Sequence, residues 1–258
     1  MRDGYSAAQI RAAEERHLAA GEPLMQRAAA ALADEIRGLL RARAAARATA
    51  DPTPPVTTAV PSPDTVVMLV GTGNNGGDAL FAGASLAADG VRVVILQVGG
   101  RMHEDGLAAA TAAGARLHDS ADAAGIASLV ADADVVVDGI LGTGSAADPA
   151  LRGRAREIVA AILPAVLPAV LAPALPAVRR PGSPARPIVV AVDIPSGIGA
   201  DDGLVPDPTV LPADVTVTFG GYKAGLLVGP ARQMTGVVRL VDIGLGPELG
   251  AMQPVVRG

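Results

Sequence analysis

Cysteine is missing from this chain of 258 residues, and so is tryptophan. Without thiols there is no disulfide, no cysteine nucleophile and no thiolate metal site. Aromatic residues make up only 2%, two Tyr and two Phe. Such a sparse set cannot build a base-stacking platform, and no long basic run accompanies it, so a nucleic-acid surface is excluded. The three histidines, His17, His103 and His118, are scattered and share no metal-ligand spacing. Charges are spread through Met1–Arg16, which therefore lacks the apolar segment of a secretory signal. A cytoplasmic protein is expected.

One stretch imitates a membrane span. Ile158 to Val178 is uncharged for 21 residues, but Pro164, Pro168, Pro173 and Pro176 interrupt it. Each proline removes a backbone donor and costs a helix interior about 3 kcal/mol. The better reading is a helix from about Leu151 to Leu163, then a low-complexity Ala/Pro/Leu insert over 164–187. No membrane contact is expected.

What the chain has is small and aliphatic. Half of it is hydrophobic, net charge is −5, and Ala, Val, Leu and Ile must fill the core. Ser6 and Gln9 fit a capping box opening a helix to about Ala20, and Gly21 stops it. Pro23 opens a second helix in which Leu24, Ala28, Leu32 and Ile36 recur at helical spacing. Residues 1–43 thus read as a helical arm and 44–63, rich in Ala, Thr and Pro, as a linker. Strands follow at 65–70, 91–97, near 115–118, 135–138, 188–193, 215–219 and, last, 237–241. Helices are expected at 77–89, 104–114 and 122–131. This alternation implies one α/β domain over 1–258, a doubly wound, mostly parallel, Rossmann-like sheet occupying 64–258.

The most informative segment is Gly71-Thr72-Gly73-Asn74-Asn75-Gly76-Gly77-Asp78, set between a β-branched strand and a helix. A glycine-rich βα turn lets backbone N–H groups approach an anion at a helix N-terminus. Gly71, Gly73 and Gly76 also fit the dinucleotide fingerprint. That fingerprint needs an acid at the end of the second strand for the ribose, and Val91–Gly100 has none, so an ordinary dehydrogenase site is disfavoured. The carboxamides and the carboxylate exceed what a turn requires. They point to a polar ligand, a cation, or both.

Other polar groups gather at strand ends, where such folds bind ligands. Asp138 leads into Gly139–Ser145, Asp193 into Ile194-Pro195-Ser196-Gly197, and Thr218-Phe219 into Gly220–Lys223. Asn75, Asp138 and Ser196 can offer hard oxygen ligands to a cation. Gly142–Gly144 offers a second anion-binding turn, and Lys223 a titratable amine.

At these residues, and over nearly its whole length, the chain resembles the NAD(P)H-hydrate epimerase family, also called the YjeF N-terminal domain family. The motif G-T-G-N-N-G-G-D, then Asp138–Gly144, D-I-P-S-G at 193–197, and Thr218-Phe219 with Lys223 are similar to the family's motifs and keep their order. The resemblance implies epimerisation of the R and S forms of hydrated NADH and NADPH, with a bound potassium ion. It implies that Asn75, Asp138 and Ser196 hold the potassium. It implies substrate loops at Asn74, Asn75, Gly76, Gly77 and Asp78, and at Gly142, Thr143, Gly144, Ser145, Ala146, Ala147 and Asp148, with Asp193 touching substrate. We expect Asp193 to move the proton and Lys223 to orient it or stabilise charge. The partners implied are the small-molecule substrate, a second copy in a homodimer using the arm, and a separate hydrate dehydratase. The alternative is a non-catalytic nucleotide-binding or scaffold module of the same fold.

Overall fold

Backbone pairing begins at the third residue in the computed structural model, which describes residues 2–50, 63–119, 122–145, 148–167 and 186–257. Asp3–Tyr5 forms a short strand, β1, and Ser6 then caps α1, Ala7–Ala19. The capping box is complete: Gln9 N–H donates to Ser6 Oγ, and Ser6 N–H to Gln9 Oε1. Gly21 turns the chain at φ +73, and α2 runs from Leu24 to Ala50.

That helix is longer than its sequence suggested. Residues 44–50, read as linker, continue it, because Ala and Arg are strong helix formers and no breaker precedes Pro52. Tertiary contacts hold this tail. Arg43 and Arg47 both pair with Asp134 at the opposite end of the sheet from the glycine loops. The remainder of the expected linker, 51–62, lies outside the described residues.

The core alternates as anticipated: β2 (Thr65–Val70), α3 (Asn74–Ala88), β3 (Arg92–Gln97), α4 (Glu104–Ala112), β4 (Arg116–Leu117), α5 (Ala123–Ala131) and β5 (Val135–Gly139). After these come α6 (Gly153–Val166), β6 (Ile188–Val192), β7 (Val215–Phe219), β8 (Tyr222–Lys223), β9 (Val237–Val241), α7 (Gly246–Gly250) and β10 (Val256–Arg257). Seven strands pair in the order β4-β3-β2-β5-β6-β7-β9, all parallel. The order reverses between β2 and β5, which sets a crevice at their carboxyl ends. Both faces of the five inner strands are covered, so those strands are buried almost without interruption, while the edge strands β4 and β9 are largely exposed. Val66, Met68 and Val70 face the core under α2, α3 and α4, while Val67 and Leu69 face α5 and α6.

Three details depart from the sequence reading. Helix α3 starts at Asn74, not 77, so the asparagines belong to its first turn. Helix α6 starts at Gly153 and carries Pro164 in its last turn, where little of the ladder is lost, and ends at Val166. Most of the expected insert, 168–185, lies outside the described residues. Finally, β9 is not the last strand. A second sheet, β10-β1-β8, joins the N-terminus to the C-terminus, with Gly4 facing Tyr222 and Tyr5 facing Lys223 in parallel register. Strands of two or three residues are too short for periodicity to reveal.

The arm is folded onto its own chain. Leu32, Ala33 and Ile36 of α2 are fully buried against the sheet and α3. Replacing Leu32 by Ala should therefore cost about 2–5 kcal/mol in urea unfolding. A loss below about 1 kcal/mol would mean that α2 is not part of this core.

Candidate active site

The two halves of the crevice touch through backbone. A β-carbon on Gly71, just after β2, would stand 1.8 Å from the carbonyl oxygen of Ile140, just after β5. Only glycine permits that approach. The other motif glycines also serve packing. A β-carbon on Gly76 would meet the Gly71 carbonyl oxygen at 2.5 Å, and one on Gly77 would meet Met25 Cε at 3.0 Å. The start of α3 is thereby pressed between the β2 loop and the arm. Gly73 is its N-cap and supplies no side-chain acceptor, so its first N–H groups are left to other partners.

Asp138, the penultimate residue of β5, is fully buried. Its Oδ1 accepts from Ser196 Oγ at 2.6 Å and Ile140 N–H at 3.3 Å, and its Oδ2 accepts from Ser196 N–H at 2.8 Å. Ser196 Oγ in turn accepts from Leu141 N–H at 2.8 Å. Burial pushes the Asp138 carboxyl up, and these hydrogen bonds pull it back only in part. Among the described residues no basic side chain pairs with it. Asn75 lies alongside: its Nδ2 donates to the carbonyls of Val192 and, at 3.3 Å, Leu141. A β-carbon on Gly142 would stand 2.3 Å from Asn75 Oδ1. The structure thus brings Asn75, Asp138 and Ser196 together.

Asp193 follows β6 in a tight γ-turn, Ile194 N–H bonding back to Val192 O at 2.7 Å. Its φ of +66 is the one positive value on a non-glycine among the described residues. Such a backbone costs about 1–3 kcal/mol and survives where surrounding contacts fix it. Here one carboxylate oxygen is fixed by three donors: Thr218 Oγ1 at 3.1 Å, Phe219 N–H at 3.1 Å and Lys223 Nζ. Lys223 is 1% exposed and also donates to Phe219 O at 2.9 Å and Thr218 Oγ1 at 3.3 Å. All three ammonium protons therefore have acceptors in the protein. The second oxygen of Asp193 has no hydrogen bond among the described residues.

Asp78, in the second turn of α3, is 7% exposed. Burial pushes its carboxyl well above the usual carboxylate range, with Asp193 and Glu14 adding to the effect and Lys223 opposing it. Sequence reading had not singled out Glu14. It stands on α1 within a charged run, Glu14-Glu15-Arg16, that reads as a solvated face. Only the docking of the arm brings its charge within electrostatic reach of Asp193 and Lys223. Neighbouring Arg11 donates from Nη1 to the carbonyl of Thr143 at 3.2 Å.

The second substrate loop is only partly gathered in. Thr72, Asn74, Asn75, Gly142, Thr143 and Gly144 line one cavity of about 420 Å³. Asp148 is exposed, bonded to Arg152 and to Ala150 N–H, and lines an adjoining cavity with Gly71, Thr72, Ile140 and Leu141. Ala146 and Ala147 lie outside the described residues, and of Ser145 only the backbone is described.

Asp78 carries a testable cost. A carboxyl raised in the folded state holds its proton there more tightly than in the unfolded chain, so stability falls as pH rises from about 4 towards the raised value. Asp78→Asn removes that loss. Its melting temperature should exceed the parent's at pH 8, and the gap should close near pH 4. An equal or lower value at pH 8 would show that Asp78 is comfortably ionised.

Residues 21–225 match the family model described as YjeF-related protein N-terminus. The NAD(P)H-hydrate epimerase of Clavibacter michiganensis is 49% identical over 258 residues, covering 99% of this chain and 95% of that one. The NAD(P)H-hydrate epimerase of Microbacterium testaceum is 44% identical over 98% of this chain and 82% of its own. The bifunctional NAD(P)H-hydrate repair enzyme Nnr of Mycobacterium tuberculosis is 38% identical over 95% of this chain, which spans 42% of that longer protein. The crystal structure of a yeast protein, ynu0, superposes with a TM-score of 0.60 at 17% identity, over 93% of this chain and 87% of that one, and so shares the fold. By sequence, motif order and fold, this chain belongs to the YjeF-related protein N-terminus family.

Proposed function

We propose that this protein is an isomerase that interconverts the R and S epimers of hydrated NADH and hydrated NADPH. The observation that carries the reading is the end-to-end likeness to relatives named NAD(P)H-hydrate epimerase. The buried Asp193–Lys223 pair supplies a chemistry to go with it. Epimerising the hydroxylated ring carbon means breaking its C–O bond and remaking it on the other face. The departing hydroxyl takes a proton and leaves as water, while the ring nitrogen's lone pair forms an iminium. Water then adds to the opposite face and gives up a proton. Each step needs a proton donor or acceptor beside that carbon.

Asp193 fits that role through its unbonded oxygen. Its other oxygen is held by three donors, so the carboxylate is aimed before substrate arrives. Lys223 spends its protons on protein acceptors, which suits an orienting charge rather than a nucleophile. Asn74 to Asp78 and Gly142 to Gly144 are assigned to the substrate's polar groups. In an assay that separates the epimers, Asp193→Asn should lower kcat by about 10²-fold. A normal kcat with a raised KM would reassign Asp193 to gripping the substrate.

We assign a potassium ion to Asn75, Asp138, Ser196 and the carbonyls beside them. The donor set suits it: hard oxygens around a buried carboxylate that has no basic partner among the described residues. Which way the Asn75 amide points is set by hydrogen bonding. Turned over, it presents its oxygen beside two backbone carbonyls, an arrangement that a cation stabilises. A bound ion would supply fixed positive charge that organises both loops. Melting temperature should therefore rise in potassium chloride relative to tetramethylammonium chloride, and Asp138→Asn should abolish the difference. Equal melting in the two salts for the unaltered protein would sink the assignment.

The longer relative named bifunctional motivates a separate hydrate dehydratase as the working partner. A homodimer would have to use the arm's outer surface, because the apolar stripe of α2 is already buried within the protomer. Among the described residues no helix is long and apolar enough to cross a membrane.

A further inference from the structure

The arm does more than fill the core. Three of its side chains press on three separate parts of the site. Met25 packs on Gly77 of the α3 turn, and Ile10 lies 3.0 Å from where a β-carbon of Gly221 would stand, two residues before Lys223. Arg11 reaches the carbonyl of Thr143. Pairing of β1 with β8 sets Tyr5 beside Lys223 and so fixes the start of α1 against the lysine's own strand. Glu14 is one turn beyond Ile10 and three residues beyond Arg11, on the side of α1 that faces the site.

Asp193 pairs with the ammonium of Lys223, and Glu14 and Asp78 both feel the charges of that pair. Asp78 and Asp193 are each 7% exposed, whereas Glu14 is only half-buried. Glu14 is the member of the set that water reaches. We propose that Glu14 is the second acid/base group of the epimerisation, delivered by the arm. This rests on the epimerase reading and deepens it.

The chemistry asks for such a group. When the hydroxyl leaves, Glu14 gives it a proton and becomes the carboxylate. The water that arrives on the opposite face must lose a proton to a different acceptor. The Asp193 carboxylate takes that proton and passes it to solvent, from which Glu14 is reprotonated, so atoms and charge balance over one turnover. For the reverse epimer the two carboxyls exchange roles. Burial raises the Glu14 carboxyl, Asp193 raises it further, and Lys223 and Arg11 oppose. That direction suits a group that holds a proton part of the time. The charged groups facing it are Asp193 at the end of β6, Lys223 on β8, Asp78 on α3 and Arg11 on α1 itself.

The test compares the intact protein with Glu14→Gln, Glu14→Asp and Glu14→Ala, using purified epimers of hydrated NADPH. Glu14→Gln should keep its melting temperature and KM, lose about 10–100-fold in kcat, and lose the basic limb of the kcat–pH profile. Glu14→Asp should retain most of the rate. Glu14→Ala should be rescued by added formate or acetate in proportion to its concentration, which a merely structural residue would not allow. Independently of turnover, ¹³C NMR titration should show the Asp78 and Asp193 carboxyls shifting in Glu14→Gln. An unaltered kcat and pH profile in Glu14→Gln, or loss of rate in Glu14→Ala without formate rescue, would overturn the proposal while leaving the epimerase reading in place. An intact protein that does not interconvert the epimers would overturn both.

Discussion

Asp138 is the anchor from which the site's loops hang. It is a fully buried carboxylate, and its two oxygens are taken by the backbone and side chain of Ser196 and the backbone of Ile140. Through Ser196 the same carboxylate reaches Leu141, and through Leu141 it is linked to Asn75, which also donates to the carbonyl of Val192. One residue thereby ties the end of β5, the loop after β6 and the first turn of α3 into a single unit. Burying such a charge without a basic partner is costly. Glycine makes the arrangement sterically feasible: Gly71 and Gly142 let backbone and amide come where a β-carbon would collide.

The large sheet was legible because its physics is local and repetitive. Both faces are covered, so its strands read as continuous Val/Leu/Ile runs, and β2 falls on the expected residues 65–70. The strand-end aspartates were legible for the same reason, since a charge closing an apolar run stands out. What sequence could not convey was anything decided by pairs far apart in the chain. The small sheet joins residue 4 to residues 222 and 256. Helix α2 outlasts its composition boundary because Arg43 and Arg47 find Asp134. The left-handed backbone of Asp193 is equally invisible, for nothing in D-I-P-S-G announces a γ-turn.

Glycine was the most misread signal. Half of the Gly71–Asp78 motif suggests a loop shaped for an anion, and that led to a helix start three residues too late. In the structure Gly76 and Gly77 are helical, and they are small because the Gly71 carbonyl and Met25 lie against them. The motif is therefore a packing solution as well as a binding one. Its asparagines ride on a helix rather than a flexible turn, which fixes their side chains more firmly.

The arm changes how the charge of the site should be viewed. Taken alone, the Asp193–Lys223 pair is neutral and self-contained. With Asp78 beneath it and Glu14 beside it, full ionisation would leave a mostly buried set with two surplus negative charges. Burial and the neighbouring negative charge push the Asp78 and Glu14 carboxyls up, so these two hold their protons more tightly than free carboxyls do. Carboxyls raised in this way suit proton transfer without a histidine or a thiol, the two side chains usually recruited for that work. The chain has no cysteine, and none of its three histidines joins this set. The carboxyls stand in instead, one of them brought by α1, and burial together with mutual repulsion is what raises Asp78 and Glu14.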